Sequence, residues 1–406
     1  MLKVIRTEGG VCSAKGFRAA AAAGGIKYEG RDDVALVLAD APCSAAAVFT
    51  TNKVAAAPVV YDREIVSSGC VQAILANSGC ANACTGEEGL KDARLSALVT
   101  AGELGIAPEH VLVASTGVIG RRLPMEKLLQ GMRKAHASLG RTPAHALAAA
   151  KAVMTTDTKP KQACAKVKIA GKTVTVGGMA KGSGMIEPNM ATMLGFITTD
   201  AAISPAMLRR ALSLAINLSF NRVVVDGDES TNDSVFLLAS GAAGNPRIVR
   251  GGDDFRLFLD ALCEVCVSLA KQMAADGEGA TKFVTVTVKG AKSDADAARA
   301  ARAIAKSPLA KTSWFGRDPN WGRVLAAVGY SGADVVDMKT EVFYDDVWAF
   351  RRGCVADERQ LGKLEKVLKR DAFEVVVDLH LGKGTSSIYT CDFSTEYVHI
   401  NADYTT

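Results

Sequence analysis

Short apolar runs at 34–39, 46–50, 71–76 and 111–114 restrict the fold of this 406-residue chain more than any other feature. Each is rich in Ala, Val, Leu or Ile and is bounded by turn-forming residues, the pattern of strands buried on both faces. Helix signals lie between and after them. Pro124 opens one, 144–155 is Ala-rich, and Ser204 with Pro205 caps another that reaches Phe220. A strand is expected at 222–225 and a long helix at 255–275. Alternation of this kind predicts an α/β fold. The pattern changes after Thr281. An alternating strand at 283–288 precedes a helix that starts at a capping box on Ser293 and ends near Ser307. Strands at 341–345, 373–381 and 387–393 and a helix at 357–369 follow. The expected organisation is a main α/β domain over 1–281 and a smaller α+β domain over 282–406.

Several function classes are disfavoured at once. The 48 Lys and Arg exceed the 43 Asp and Glu by only five, and no basic run stands out. Aromatic residues make up 6%, too few for a nucleic-acid stacking platform. No apolar stretch is long enough to span a bilayer, and the first six residues carry no secretory core. The ten cysteines are scattered, and only Cys263 and Cys266 form a C-x-x-C, inside an apolar helical pattern that favours buried thiols over a redox or zinc motif. The five histidines show no ligand spacing, so no metal centre is expected, and a reducing cytoplasm fits this cysteine usage.

The segment 177–200 carries the most chemistry. It is Gly-rich, holds Lys181, and reaches Pro188-Asn-Met-Ala-Thr192 just before an apolar run at 193–197. Phosphate cradling is one reading, but the glycines keep neither the Walker nor the dinucleotide spacing. A second reading concerns Thr192. A threonine hydroxyl is a weak nucleophile unless a base lies beside it, and an N-terminal threonine supplies that base from its own α-amino group. Such an amine titrates at about 7.7–8.0 when unperturbed, close to working pH. For Thr192 the amine exists only if the Ala191–Thr192 bond is cut, and attack of Thr192 Oγ on the Ala191 carbonyl would cut it.

The chain resembles the ornithine acetyltransferases of arginine biosynthesis, also called glutamate N-acetyltransferases. The resemblance covers nearly the whole length. It rests on the blocks at 47–58, 77–86 (Asn-Ser-Gly-Cys-Ala-Asn-Ala-Cys-Thr-Gly), 115–120 (Ser-Thr-Gly-Val-Ile-Gly) and 154–158 (Met-Thr-Thr-Asp-Thr). It continues through 179–184, 188–194, 221–233, 276–282, 318–323 (Asp-Pro-Asn-Trp-Gly-Arg) and 397–406. The implied fold is a layered αββα sandwich like that of N-terminal-nucleophile enzymes, with the tail of the C-terminal domain contributing to the active site.

The resemblance also implies roles. Self-cleavage at Ala191–Thr192 gives an α chain of 191 residues and a β chain of 215. Thr192 is then the nucleophile of both processing and acetyl transfer, and Thr116 with Gly117 stabilises the oxyanion. Substrate contacts fall to Lys181, Thr192, Glu278, Asn401, Thr406 and the Thr155–Thr156 pair, within which the sequence does not choose. The acidic stretch 226–233 reads as a structural loop near the active site. Cys80 and Glu229 depart from the expected residue types without touching a catalytic position. The implied reaction moves acetyl from N2-acetylornithine to glutamate through an acetyl-Thr192 intermediate, without metal or organic cofactor. Whether acetyl-CoA also serves as donor stays open. An α2β2 assembly is implied, with small-molecule substrates and neither nucleic acid nor membrane as partner. The alternatives are an amidase or aminopeptidase on the same scaffold, and an uncleaved binding protein.

Overall fold

The computed structural model describes residues 4–187 and 193–403. The chain divides into two compact units. The first runs through Asn221 and resumes over Asp228–Ala270; the second takes Arg222–Gly227 and continues from Lys271.

The first unit holds strands β1 (Val4–Thr7), β2 (Phe17–Ala22), β3 (Val34–Phe49), β4 (Cys70–Asn77), β5 (Val111–Ser115), β6 (Lys161–Ile169), β7 (Lys172–Lys181) and β8 (Leu194–Thr199). After β9 (Val223–Val224), which belongs to the second unit, it adds β10 (Ser234–Ala239). They form one sheet in the order β1-β6-β7-β8-β10-β3-β4-β5, with β2 also paired to β3. The β4–β5 and β8–β10 pairs are parallel and the others antiparallel. Its helices are α1 (Ala57–Ile65), α2 (Gly86–Leu104), α3 (Met125–Ala137), α4 (Pro143–Ala152), α5 (Pro205–Leu218) and α6 (Asp253–Ala275), which continues past the unit boundary.

Strand β3 shows why its sequence reads as unbroken apolar residues. Ala35, Val37 and Ala39 enter one core cluster with the α4 alanines Ala146, Ala149 and Ala150, while Val34 and Leu38 enter another with Leu128 and Met132 of α3. Successive side chains alternate between two buried faces, so neither parity can be polar. The small side chains of α4 let that helix lie close on the sheet. Two strands were expected at 34–39 and 46–50, yet β3 is continuous. A register shift between Leu38 and Cys43 absorbs Asp40 and Pro42 as an irregularity, where a residue without an N–H is tolerated. The α4 helix also stops earlier than 155. Thr155 N–H donates to its neighbour Asp157 Oδ2 at 3.1 Å, so a local side-chain acceptor replaces the helical carbonyl.

One buried carboxylate in this unit does not belong to the candidate site. Asp62 of α1 is fully enclosed, and its Oδ1 accepts from Val113 N of β5 at 2.9 Å. Its Oδ2 meets no partner among the described residues. Burial pushes this carboxyl well above its ordinary range, with the Val113 N–H opposing the shift. A folded-state pKa that is raised means the folded chain holds the extra proton, so the stability contribution falls as pH climbs from the unfolded value toward the folded one. Asp62→Asn should therefore raise the melting temperature more at pH 8 than at pH 5. An equal change at both pH values contradicts the assignment.

The second unit forms a sheet in the order β14-β13-β12-β15-β11-β16-β9. Its further strands are β11 (Phe283–Ala291), β12 (Glu341–Tyr344), β13 (Val347–Arg351), β14 (Cys354–Val355), β15 (Ala372–Asp378) and β16 (Gly384–Cys391). Its helices are α7 (Asp294–Lys306), α8 (Pro308–Phe315), α9 (Trp321–Gly329), α10 (Glu358–Leu368) and α11 (Thr395–Asp403). In β11 the valines 284, 286 and 288 are buried against Ala297, Ala300, Ala301 and Ile304 of α7, as the alternating sequence predicts. Ser293 Oγ caps α7 by accepting from Asp296 N at 3.1 Å. The α/β class expected from the sequence is what the structure shows. Among the described residues no helix is long and apolar enough to cross a membrane.

Candidate active site

The turn after β5 is built around a glycine. Gly117 has φ +131°, and a Cβ placed on it would lie 2.4 Å from the Gly79 carbonyl carbon and 2.6 Å from Cys80 N. Both neighbours are backbone atoms, so no side chain can swing aside. Asn77, at the end of β4, fixes the approach. Its backbone oxygen accepts from Thr116 N at 3.0 Å, and its Oδ1 accepts from Ser115 Oγ at 2.7 Å. Gly117→Ala should therefore distort the Thr116 turn and, on the oxyanion role that the resemblance implies, lower acetyl transfer by about 10²- to 10³-fold, read as kcat alongside a melting curve. Unchanged kcat in the folded variant contradicts this role.

Lys181 closes β7 with its side chain buried, 5% exposed. Its Nζ donates to Thr155 Oγ1 at 2.9 Å and to Thr116 Oγ1 at 3.3 Å. A hydroxyl oxygen that accepts from an ammonium keeps its own hydrogen for another acceptor. The Thr116 O–H is thus left able to donate. The two threonines left undecided by the sequence make different contacts. Thr155 shares Lys181 with Thr116, whereas Thr156 Oγ1 pairs with Ser183 Oγ at 2.8 Å.

Beneath Lys181 lies Asp157, whose side chain is fully buried. Its Oδ1 accepts from Lys161 Nζ and from Gly182 N, each at 2.7 Å, and its Oδ2 stands 3.9 Å from Lys181 Nζ. Burial opposes the charged carboxylate, but Lys181, Lys161 and the Gly182 N–H outweigh it and hold the pKa down at about 2. The aspartate therefore stays ionised and anchors both lysines. Gly177 and Gly178 lie within β7, paired to β6 and β8. That removes the phosphate-loop reading of this segment.

Ala191 and Thr192 lie outside the described residues, as does Thr406. The chain just after Thr192 is defined: Met193 N donates to Asp233 Oδ1 at 2.7 Å, and Met193 O accepts from Ser234 N at 3.1 Å. In the second unit, Glu278 is 9% exposed, and its Oε2 accepts from Asn401 Nδ2 at 2.8 Å. Gly279 beside it has φ +67°, and its carbonyl accepts from Ser394 Oγ at 2.6 Å. Cys263 and Cys266 lie on α6 as free thiols. Burial pushes Cys263 to about 11 and Cys266 well above the ordinary range. Among the described residues no cluster of three or more His, Cys, Asp or Glu is arranged to hold a metal.

Sequence reasoning gave no individual role to Asp157, Lys161, Asn232 or Asp233, reading 226–233 only as a structural loop near the active site. Asp157, Asn232 and Asp233 sat inside the blocks at 154–158 and 221–233, so the blocks marked the region without marking the residues.

The chain matches the ArgJ family over residues 18–406. It is 52% identical over 392 residues to the arginine biosynthesis bifunctional protein ArgJ of Geobacter sulfurreducens, covering 97% of this chain and 99% of that one. It is 47% identical over 409 residues to the glutamate N-acetyltransferase of Methanocaldococcus jannaschii, covering 98% and 99%. The crystal structure of the Bacillus halodurans arginine biosynthesis bifunctional protein ArgJ is similar with a TM-score of 0.50 at 41% identity, matching 52% of this chain and 99% of that chain.

Proposed function

The chain belongs to the ArgJ family, and from that premise we propose that Thr192, freed by cleavage of the Ala191–Thr192 bond, is its catalytic nucleophile. The protein is an acyltransferase of arginine biosynthesis, a glutamate N-acetyltransferase. In the proposed mechanism the Thr192 α-amine takes the hydroxyl proton, and Thr192 Oγ attacks the acetyl carbonyl of N2-acetylornithine. Thr116 and Gly117 stabilise the tetrahedral oxyanion. Collapse releases ornithine and leaves acetyl-Thr192. The glutamate α-amine then attacks the ester, and N-acetylglutamate leaves with the nucleophile restored. Lys181 and Thr155 hold the substrate beside Thr116, and Glu278, Asn401 and Thr406 make the remaining substrate contacts. Thr156 supports this wall through Ser183.

The observation that carries this reading is the Lys181 ammonium shared by Thr116 and Thr155. It leaves the Thr116 O–H available as a donor, which supports the oxyanion role that acyl transfer needs. Cleavage draws separate support from the Bacillus halodurans chain. Nearly all of it aligns to 52% of this chain, close to the share that a 215-residue fragment takes of 406. The assembly is an α2β2 heterotetramer acting in the cytoplasm.

The test incubates the protein with N2-acetylornithine, with and without glutamate. Ornithine release that requires glutamate and yields N-acetylglutamate is the expected result. Release indifferent to glutamate, with free acetate formed, identifies a hydrolase instead. N-acetylglutamate made from acetyl-CoA and glutamate alone demonstrates a second donor, and its absence rules that donor out.

A further inference from the structure

We infer that Asn232 and Asp233 form a positioning pair that fixes the chain after Thr192 against the Thr116 turn, and so governs self-cleavage and acetyl transfer together. The inference rests on the proposed roles of Thr192 and Thr116. Strands β8 and β5 are not neighbours: β10, β3 and β4 stand between them in the sheet. No direct backbone ladder therefore joins the start of β8 to the end of β5. Lys181 reaches Thr116 from β7, but through a long side chain with many rotamers.

Two consecutive buried residues supply the shorter link. Asn232 Nδ2 donates to Ser115 O at 2.8 Å and to Ala81 O at 2.6 Å. Its Oδ1 accepts from Thr231 Oγ1 at 2.6 Å, and its N–H donates to Ser230 Oγ at 3.0 Å. The amide is thus oriented by its partners at both ends. Asp233, 0% exposed, accepts from Met193 N at 2.7 Å through Oδ1, and its carbonyl accepts from Thr50 N at 3.0 Å. One side chain therefore grips the carbonyl immediately before Thr116, and the next grips the amide immediately after Thr192. The Met193 N–H lies on the far side of Thr192 from the bond to be cut. It survives cleavage, so the same brace serves both steps.

Misplacement of reacting groups by about 1 Å costs about 100-fold in rate. Asn232→Ala and Asp233→Ala should each slow cleavage, followed by intact mass over time. In the cleaved fraction they should lower kcat by about 10- to 100-fold, with KM for N2-acetylornithine within about 3-fold of wild type. Asp233→Asn keeps an oxygen for the Met193 N–H and should recover much of both rates. A merely structural role would lower the melting temperature while leaving the cleaved fraction with wild-type kcat, and that outcome overturns the inference. Should the alanine variants fail to fold, Asn232→Asp carries the test. Its carboxylate faces two carbonyl oxygens without a proton to donate, and wild-type cleavage and kcat in that variant overturn the pairing. An uncleaved active wild type, or a cleaved Thr192→Ala, refutes the nucleophile assignment itself. A cleaved wild type whose Asn232 and Asp233 variants match it refutes only the brace.

Discussion

Thr192→Ala should accumulate as one species of 42.4 kDa and transfer acetyl at a rate lower by about 10⁶-fold, the scale seen when a nucleophile is removed from a preorganised acyl-transfer site. Two losses coincide in this variant. Without Oγ nothing attacks the Ala191 carbonyl, so the chain stays whole. Without a new terminus no α-amine exists to serve as base, so even an added nucleophile would lack its proton acceptor. Thr192→Ser separates the two. It keeps the hydroxyl and, once cut, the amine, so it should cleave and turn over at a reduced rate. Intact mass and ornithine release measure both variants. Cleavage of the alanine variant would remove Thr192 from the mechanism.

The second large effect is on stability. Asp157→Ala removes the carboxylate shared by Lys161, Lys181 and Gly182 N–H. Breaking a buried ion pair by deleting one partner costs about 3–5 kcal/mol, because the remaining charge stays desolvated. The pH dependence of the wild type follows from the same site. The folded pKa of Asp157 is depressed from 3.8 to about 2. Its stabilisation is therefore complete above the unfolded value and is lost as pH falls from about 4 toward 2, about 2 kcal/mol in all. Urea unfolding at pH 7 and pH 3 should show this acid-sensitive increment in the wild type and not in Asp157→Ala. An identical pH response in the two proteins contradicts it.

The elements with strong local signals were legible in the sequence. The Ser204 and Ser293 caps appear where expected, with Ser204 Oγ accepting from Met207 N at 3.4 Å, because a cap depends on three or four adjacent residues. The 19-residue α2 carried no such signal. Glycines at 86, 89 and 102 interrupt it. Gly89 is tolerated because Thr85 and Asn82 crowd the place a Cβ would take. The strands β6 and β7 were not expected, because lysines interrupt their apolar residues. Lys161 and Lys181 are buried beside Asp157, which lies far from Lys181 in sequence.

The candidate site divides in the same way. The resemblance blocks proposed Thr116, Gly117, Lys181 and the Thr155–Thr156 pair, and the structure brings Thr116, Thr155 and Lys181 within hydrogen-bond reach. That Thr155 bonds Lys181 while Thr156 bonds Ser183 is a contact the sequence could not show. The Asp233–Met193 bond spans 40 residues and the Asn232–Ser115 bond 117. Contacts at that separation follow from sheet order, which a single sequence does not state.

N-terminal sequencing of the larger fragment of the active protein tests the central claim most directly. The account predicts a start at Thr192-Met193-Leu194, with no intact chain required for activity. A fully active protein that remains one uncut chain, or a fragment beginning at any other residue, contradicts it.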